Sequence, residues 1–272
     1  GIDVSTLPEV QHAASSGGVV SHFSAQEVAS SVQGAGVVQT QYIERARSAI
    51  ATIEKHIVDA LHSSWSARLV MFALLRDKKQ KEQETILEKS LSVHELKEYN
   101  VLLPFVEKSD ESTRLPMVDI AAPALQRLSP DQRKEFQSIL SLLIQSDGKV
   151  DRFEWVFLSV IRKHLAPPRR TSSKAKLSSL ASPAALVLGM LSYCGQEDEE
   201  RAKEAFQHGA GTSGLKGLTI PEVRHCTMKN IDDALTKLGS LRFVEKERLL
   251  QACVACVTHD DKVTVAEAET LR

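Results

Sequence analysis

The residues of this chain that come nearest to metal chemistry are His94, Glu95 and Glu98, in the string HELKE. A zinc hydrolase helix needs two histidines four residues apart, because both imidazoles must lie on one helix face beside a glutamate base. Glu98 stands where the second histidine would be, and none of the nine histidines has another four residues away. We therefore expect no catalytic residue here and interpret the string as the charged start of a helix.

A glycine-rich string from Gly209 to Gly214, GAGTSG, matches the dinucleotide-binding fingerprint in its letters. That fingerprint needs a strand before it and a helix after it, so that the phosphates meet a helix N-terminus. Here a helical pattern precedes the glycines instead. We therefore predict that Gly209 ends a helix and that a flexible loop follows it. We expect no cofactor in this chain.

Two acidic turns resemble the second half of a calcium-binding EF-hand loop. Such a loop takes carboxylates from its first and third positions. These positions fall on Leu143 and Gln145 in the first turn, and on Cys256 and Thr258 in the second. Two interpretations remain: a tight turn followed by a helix cap, or weak cation binding. The candidate ligands for the second are Asp147, Asp151, Glu154, Asp260, Asp261 and Glu267.

A basic segment without any acidic residue runs from Trp155 to Gln196. It can be a solvated loop, or it can be a patch for anionic lipid headgroups or an acidic protein partner. In the second case each basic residue near an anionic membrane contributes about 1 kcal/mol. The candidate interaction residues are Arg162, Lys163, Arg169, Arg170, Lys174 and Lys176.

The composition predicts a soluble globular chain, with 42% hydrophobic and 25% charged residues among 272. A net charge of −1 and an aromatic content of 5% argue against nucleic acid as a partner. Four cysteines are too few for a secreted disulfide scaffold. The longest apolar run, Ala184 to Cys194, is about half of the ~20 residues that a membrane-spanning helix needs. No signal peptide is recognised, and the chain starts without Met and stops at Arg272 in a predicted helix, so we expect a piece of a larger protein.

Apolar residues recur at helical spacing through most of the chain, which predicts an all-α helical hairpin array with no sheet. The Ser-, Gly- and Ala-rich N-terminus is predicted to be a flexible linker. The first helix is predicted from Gln39 to Leu61. The predicted segments are the linker 1–38, helical hairpins 39–114, a first repeated unit 115–166, a basic Pro/Ser linker 167–183 and a second helical unit 184–272.

One helix–turn–helix segment occurs twice, at an offset of 113 residues between Asp147 and Asp260. Leu128 to Val150 aligns with Leu241 to Val263 without gaps. Both copies carry an apolar helical stripe, then an Asp, a Lys-Val pair and a Glu in the outgoing helix. We therefore predict the same local fold twice.

The repeat decides how Cys253 and Cys256 are interpreted. Together with His259 they have a metal-like spacing. However, the two cysteines align with Leu140 and Leu143 of the first copy, and a closed zinc site would need a further ligand. We therefore predict that both cysteines are small apolar residues of the core and that they bind no metal.

The repeated unit, with its Asp-Gly-Lys-Val turn and the Glu that follows, resembles the TerB-like helical module. Three longer stretches resemble the C-terminal region of bacterial HtpX-like membrane zinc metallopeptidases: RLPMVDIAAPALQRLSPDQRKEF, SDGKVDRFEWVFLSVIRKHL and KERLLQACVACVTHDDKVTVAEAETLR. The resemblance covers residues 39–272 and is strongest after Arg114. It implies a parent that cleaves membrane proteins at the cytoplasmic face of the inner membrane, with its zinc on an HExxH helix in a preceding domain. This sequence has no such helix, so no zinc ligand of the family carries over to a residue here.

Three hypotheses for function follow. The first is a non-catalytic interaction or regulatory domain that binds a protein partner, its own peptidase domain or an anionic membrane surface. The second is a weak divalent-cation-responsive module that uses the carboxylates of the two turns. The third is an independent hydrolase, for which no set of catalytic residues is complete. We favour the first.

Overall fold

The structure, a computed structural model, describes residues 22–24, 26, 51–77, 79–148, 150–166, 174–196 and 198–272. Contacts along the chain divide it into two compact units. Unit 1 contains the described residues from 51 to 166. Unit 2 contains residues 22–24 and 26 and the described residues from 174 to 272.

Unit 1 is built around one buried helix. Its helices are α1 Lys55–His62, α2 Ser64–Leu74, α3 Lys81–Ser90, α4 Val93–Lys108, α5 Arg114–Gln126, α6 Pro130–Gln145 and α7 Arg152–Leu165, with a short 3-10 turn at Glu111–Thr113. From Ala67 to Leu74 every residue of α2 is buried. This burial arises because α1, α4, α5 and α6 all pack against α2.

Local sequence signals fix where several helices of unit 1 begin. Ser92 and Glu95 form a capping box at the start of α4. Ser129 and Gln132 form another at the start of α6, where Pro130 occupies the first helical position. These residues satisfy backbone N–H groups that have no partner inside the helix, and proline lacks the N–H that would go unpaired there.

Unit 2 also has a central helix. Its elements are β1 His22–Ser24, a 3-10 turn at Leu177–Leu180, α8 Ala181–Gly195, α9 Glu199–Ser213, a 3-10 turn at Val223–His225, α10 Met228–Leu238, α11 Phe243–Val257, β2 Lys262–Thr264 and α12 Val265–Leu271. The helices α9, α10, α11 and α12 pack against α8. As a result no residue from Ala184 to Cys194 is exposed.

One stretch of the described residues, Leu177–Cys194, has the length and composition of a candidate membrane span, with a mean hydropathy of 1.5. It covers α8 up to Cys194, and 39% of it is buried inside the protein. The core helix of a globular unit has the same composition. The stretch is therefore weak evidence for a membrane crossing.

The predicted all-α class is confirmed. The described residues also contain a pair of three-residue strands and an isolated parallel bridge between Ala175 and Leu241. The strands β1 and β2 run antiparallel, with Phe23 opposite Val263. This contact brings a piece of the predicted N-terminal linker onto the second repeated turn of unit 2.

The repeat extends over three helices in each copy, α5–α7 in unit 1 and α10–α12 in unit 2. The connection between the first two helices has the same backbone hydrogen bond in both. The N–H of Leu128 donates to the carbonyl of Leu125 at 3.2 Å, and the N–H of Leu241 donates to that of Leu238 at 3.0 Å. Buried residues of α5 and α10 match at the same offset: Leu115 and Met228, Val118 and Ile231, Ala121 and Ala234.

The predicted first helix is wrong in its extent. Its part up to residue 50 lies outside the described residues. The chain then bends at residues 52–53, and α1 starts at Lys55 with Glu54 as its N-cap. Ile53 and Ile57 are both buried. The apolar spacing therefore marks burial here without a continuous helix.

The structure describes only parts of the two predicted linkers. Most of residues 1–38 lies outside the described part of the chain, as do residues 167–173, so the linker prediction stays a prediction there. From Lys174 to Pro183 the chain is instead part of unit 2. Leu177 is 1% exposed in its core, and α8 already starts at Ala181.

The prediction that Gly209 ends a helix is wrong. The helix α9 runs through it to Ser213, and Gly214 ends the helix in the left-handed conformation with φ 69°. Gly209 lies at a close helix crossing instead. A Cβ at this position would lie 2.9 Å from the carbonyl oxygen of Ala252 and 3.0 Å from the Cβ of Cys256 in α11. Only glycine allows this approach.

Candidate functional site

The first acidic turn joins α6 to α7 and is held by reciprocal cap hydrogen bonds. The N–H of Glu154 donates to Asp151 Oδ1 at 2.7 Å, and Glu154 Oε2 accepts from the N–H of Asp151 at 2.9 Å. Gly148 has a φ of 70°, and its N–H donates to the carbonyl of Gln145 at 3.1 Å. Two of the candidate cation ligands therefore serve as a capping box after a left-handed residue.

The carboxyl of Glu154 is partly buried beside other carboxyls. Burial is the main cause that raises the pKa of Glu154 to about 8, and the charges of Asp151, Asp147 and Asp77 add to the rise, while a hydrogen bond from the Asp151 backbone lowers it. Asp77 lies in the connection between α2 and α3, outside the set that the sequence suggested. This corner of unit 1 therefore favours a proton on Glu154 near neutral pH.

The second turn repeats the cap with different residues. The N–H of Glu267 donates to Thr264 Oγ1 at 3.2 Å, and Glu267 Oε2 accepts from the N–H of Thr264 at 2.8 Å. Burial raises the pKa of Glu267, and Asp260 adds to the rise, while the hydrogen bonds from Thr264 and the charge of His259 lower it. Asp260 also accepts from the N–H of Lys262 at 3.2 Å.

Asp261 takes the place of Gly148 in the second turn. Its φ is 62°, and among the described residues it is the one residue other than glycine that has a positive φ. Its N–H donates to the carbonyl of Thr258 at 3.2 Å, the counterpart of the bond between Gly148 and Gln145. Aspartate enters the left-handed region more readily than most residues, so the same turn forms in both copies.

The six candidate cation ligands divide between the two turns. Within the part of the chain that the structure describes, no group of three or more His, Cys, Asp or Glu residues is arranged to hold a metal ion. Asp151 and Glu154 meet as partners in a cap, and Glu267 meets Thr264 in the same way. The carboxyls of Asp147, Asp151 and Glu154 are close enough to influence one another electrostatically.

The six basic candidates divide into three sets. Arg169 and Arg170 lie outside the described residues. Arg162 and Lys163 lie in the last turn of α7 in unit 1. Lys174 and Lys176 are exposed in unit 2.

An apolar pair that the sequence analysis missed begins α11. Phe243 is 80% exposed and Val244 is 65% exposed. The equivalent residues of the first copy are Pro130 and Asp131, which suit a helix start. The gapless alignment of the two copies contained this signal, because it pairs apolar residues with a proline and an acid at surface positions.

The string HELKE has a structural role. Glu95 accepts from Ser92 in the capping box and pairs with Arg68 at 2.8 Å. Glu98 Oε2 accepts from the indole N–H of Trp65 at 3.0 Å. His94 is exposed in the first turn of α4. The interpretation as the charged start of a helix agrees with these contacts.

Cys253 and Cys256 lie in the core of unit 2, as predicted. They are 6% and 1% exposed and pack among apolar residues of α8, α9 and α11. Burial raises the pKa of each thiol to about 12. Both positions therefore suit small apolar core residues, and the absence of a metal stays a prediction.

A comparison of the chain with protein-family models, with curated proteins and with solved structures finds no match. The resemblance to TerB-like modules and to HtpX-like metallopeptidases therefore stays a hypothesis that rests on the residues quoted above.

Proposed function

We propose that this chain is a non-catalytic interaction or regulatory domain that serves a membrane-bound zinc metallopeptidase. The parent would cleave membrane proteins, and its zinc would lie in a separate peptidase domain. The residues after Arg114 that resemble the HtpX-like C-terminal region support this proposal. The cytoplasmic face of a bacterial inner membrane is the location that the same resemblance implies.

The observation that carries the proposal is the exposed pair Phe243 and Val244. Two adjacent apolar side chains that project from a helix start add nothing to a core, and such a pair suits contact with another surface. The first copy shows that the same fold forms with Pro130 and Asp131 at these positions. The apolar pair is thus not required by the fold, which favours a role in contact.

A pull-down from detergent-solubilised membranes of the source organism tests this function. The immobilised 272-residue chain is expected to retain a membrane zinc metallopeptidase, identified by mass spectrometry and by chelator-sensitive proteolysis in the eluate. Retention of no peptidase would contradict the proposal. Hydrolysis of protein substrates by the purified chain alone, with or without added zinc, would contradict it as well.

A weak response to divalent cations is the alternative, favoured by one observation. The pKa of Glu154 is raised to about 8, chiefly by burial and then by three further carboxyls, and a bound cation would relieve that repulsion as a proton does. Calorimetric titration with calcium and magnesium tests it, with Asp147→Asn as the matched variant. Heat that the variant abolishes would support the cation module, and the absence of heat at millimolar concentration would exclude it.

A further inference from the structure

We propose that unit 2 docks on an anionic lipid bilayer through a cationic apolar tip. The tip consists of Lys174, Lys176, Lys237, Arg242, Phe243 and Val244. This inference rests on the proposed function as an interaction domain and names the surface that one part of it contacts.

Backbone hydrogen bonds fasten the lysines of the tip beside the start of α11. The N–H of Ala175 donates to the carbonyl of Ser240 at 3.1 Å, and the N–H of Arg242 donates to the carbonyl of Ala175 at 3.1 Å. The Nε of Arg242 donates to the carbonyl of Lys174 at 3.1 Å. Lys174 and Lys176 flank Ala175, and both are exposed. Their position next to Phe243 is therefore set by the fold.

The same segments are anchored in the core of unit 2. Leu177, Leu238 and Leu241 are 1%, 4% and 0% exposed and form one buried cluster. The carbonyl of Lys237 accepts from the N–H of Ser240 at 3.1 Å and from its hydroxyl at 2.7 Å. The exposed side chains thus stand on a rigid base, which lowers the conformational entropy lost when the tip meets a surface.

The start of α11 departs from what helix stability favours. Arg242 is its N-cap and makes no side-chain cap hydrogen bond, whereas Ser129 caps α6 through a capping box. A cation at this end also faces the positive pole of the helix dipole. The Arg242 side chain instead holds Lys174 through its hydrogen bond to the Lys174 carbonyl. The two exposed apolar side chains that follow it bring no such structural gain, and residues of that kind tend to mark functional sites.

The charge of the tip is of one sign. Residues 174–176 and 237–244 contain four basic residues and no acid. The next acid along the chain, Glu245, pairs with Arg248 at 3.6 Å. An anionic surface therefore complements this part of unit 2.

The size of the apolar part favours a bilayer over a protein partner. A stable protein interface buries about 800 Å² on each side, while a phenylalanine contributes about 150–250 Å². Two apolar side chains among cations are too few for such an interface. They suit the boundary between headgroups and acyl chains, where aromatic residues insert, cations meet lipid phosphates and no complementary shape is needed.

Co-sedimentation of the full chain with lipid vesicles tests the proposal. Vesicles of phosphatidylcholine alone are compared with vesicles that also contain phosphatidylglycerol. Each cation near an anionic membrane is worth about fivefold in binding, so Lys174→Glu with Lys176→Glu is expected to weaken binding more than about 25-fold. Phe243→Ser with Val244→Ser is expected to weaken it about tenfold or more.

Matched controls come from unit 1. Val93 is 75% exposed at the start of α4, so Val93→Ser controls for the loss of an exposed apolar side chain. Lys81→Glu with Lys89→Glu controls for charge, because both lysines are exposed on α3. These variants are expected to bind vesicles like the unaltered chain, and far-UV circular dichroism checks that every variant is folded.

The outcomes separate the bilayer from other partners and from the proposed function. Binding to anionic vesicles that weakens with salt and is lost in both tip variants supports the proposal. The proposal is overturned if the chain does not bind anionic vesicles, or if tip and control variants lose binding equally. It is also overturned if the chain binds soluble polyglutamate and fails to bind vesicles. A tip variant that no longer retains the peptidase in detergent would assign the tip to a protein, which overturns this inference and leaves the interaction domain standing. Failure of the unaltered chain to retain a peptidase would instead remove the proposed function without affecting the vesicle result.

Discussion

The two copies of the three-helix repeat share a backbone and differ in what their side chains do. In the first copy the helix start Ser129-Pro130-Asp131 is optimised for stability. In the second copy Arg242-Phe243-Val244 occupies the same positions, with no side-chain cap and two exposed apolar residues. The difference indicates that one copy supports its unit while the other also presents a surface.

The cores of the copies differ for a second reason. Leu140 and Leu143 of the first copy correspond to Cys253 and Cys256 of the second. The smaller residues accompany the close approach of α9, whose Gly209 leaves no room for a Cβ against α11. The smaller side chain of Cys256 in this apolar stripe suits the close crossing of α9 and α11.

The largest expected effect concerns this core. Leu140→Ala is expected to reduce the free energy of unfolding of unit 1 by about 2–5 kcal/mol, because a fully buried leucine leaves a cavity. Urea unfolding followed by tryptophan fluorescence measures it, since Trp65 and Trp155 both lie in unit 1. Cys253→Ala removes one atom and is expected to cost about 1 kcal/mol in unit 2, measured by circular dichroism. Equal costs at both positions would contradict the comparison.

The next effect is the pH dependence that Glu154 confers. Its pKa in the folded chain is about 8, above the ordinary value of 4.5. The folded state therefore keeps the proton while the unfolded chain ionises, so this contribution to stability is complete below about pH 4.5 and is lost as the pH rises through about 8. The slope reaches about 1.4 kcal/mol per pH unit between those values.

Glu154→Gln is expected to flatten that dependence and to stabilise unit 1 at alkaline pH, because an amide also fills the capping box. Urea unfolding across this pH range measures it. Glu267→Gln in the second copy is expected to act in the same direction and by less, because Asp260 alone adds to the effect of burial and His259 opposes it. A larger change in the pH dependence of stability for Glu267→Gln than for Glu154→Gln would contradict the expectation that neighbouring carboxyls act more strongly in the first turn.

A pair of glycines in α9 tests the close crossing. Gly209→Ala is expected to destabilise unit 2 by about 1–3 kcal/mol, because the new methyl would collide with backbone and side-chain atoms of α11. Gly211 has nothing within 4 Å of a built Cβ, so Gly211→Ala is expected to stabilise the helix by about 0.5–1 kcal/mol. Thermal unfolding followed by circular dichroism distinguishes the two signs. Stabilisation by both changes would remove the packing explanation.

The smallest expected effect sharpens the comparison of the helix starts. The triple change Arg242→Ser, Phe243→Pro and Val244→Asp gives α11 the start of α6. It is expected to stabilise unit 2 by about 0.5–2 kcal/mol through the new cap and to abolish binding to anionic vesicles. The reverse change at Ser129, Pro130 and Asp131 is expected to destabilise unit 1. Loss of stability in the first variant would mean that the tip belongs to the fold.

The sequence predicts the parts of this molecule that local rules determine. The gapless repeat, a helix cap after each acidic turn and the burial of Cys253 follow from spacing and residue type. The exposure of Phe243 is signalled only by the alignment of the two copies, because an apolar residue at helical spacing by itself predicts a core position. The role of Gly209 also depends on a neighbour, since no local pattern distinguishes a close crossing from a helix end.

Only part of the candidate site is predicted from the sequence, again because local patterns do not report residues that are distant along the chain. The carboxyls of the first turn are recognised from the chain, but Asp77 joins them from a distant loop and leaves no local signal. The match between the first helices of the two copies, α5 and α10, is missed because Leu115 and Val118 correspond to Met228 and Ile231 in burial and not in identity. Burial is conserved between the copies where sequence is not.

A site-specific photocrosslink tests the central claim most directly. Benzoylphenylalanine is placed at position 243 in one 272-residue chain and at the equivalent position 130 in another. Each chain is irradiated with membranes of the source organism, and the membranes are then washed with high salt. The account predicts that the chain labelled at 243 stays covalently with the membrane fraction while the chain labelled at 130 is washed off. Release of both chains, or equal retention of both, would contradict the claim that the second copy presents the contact surface.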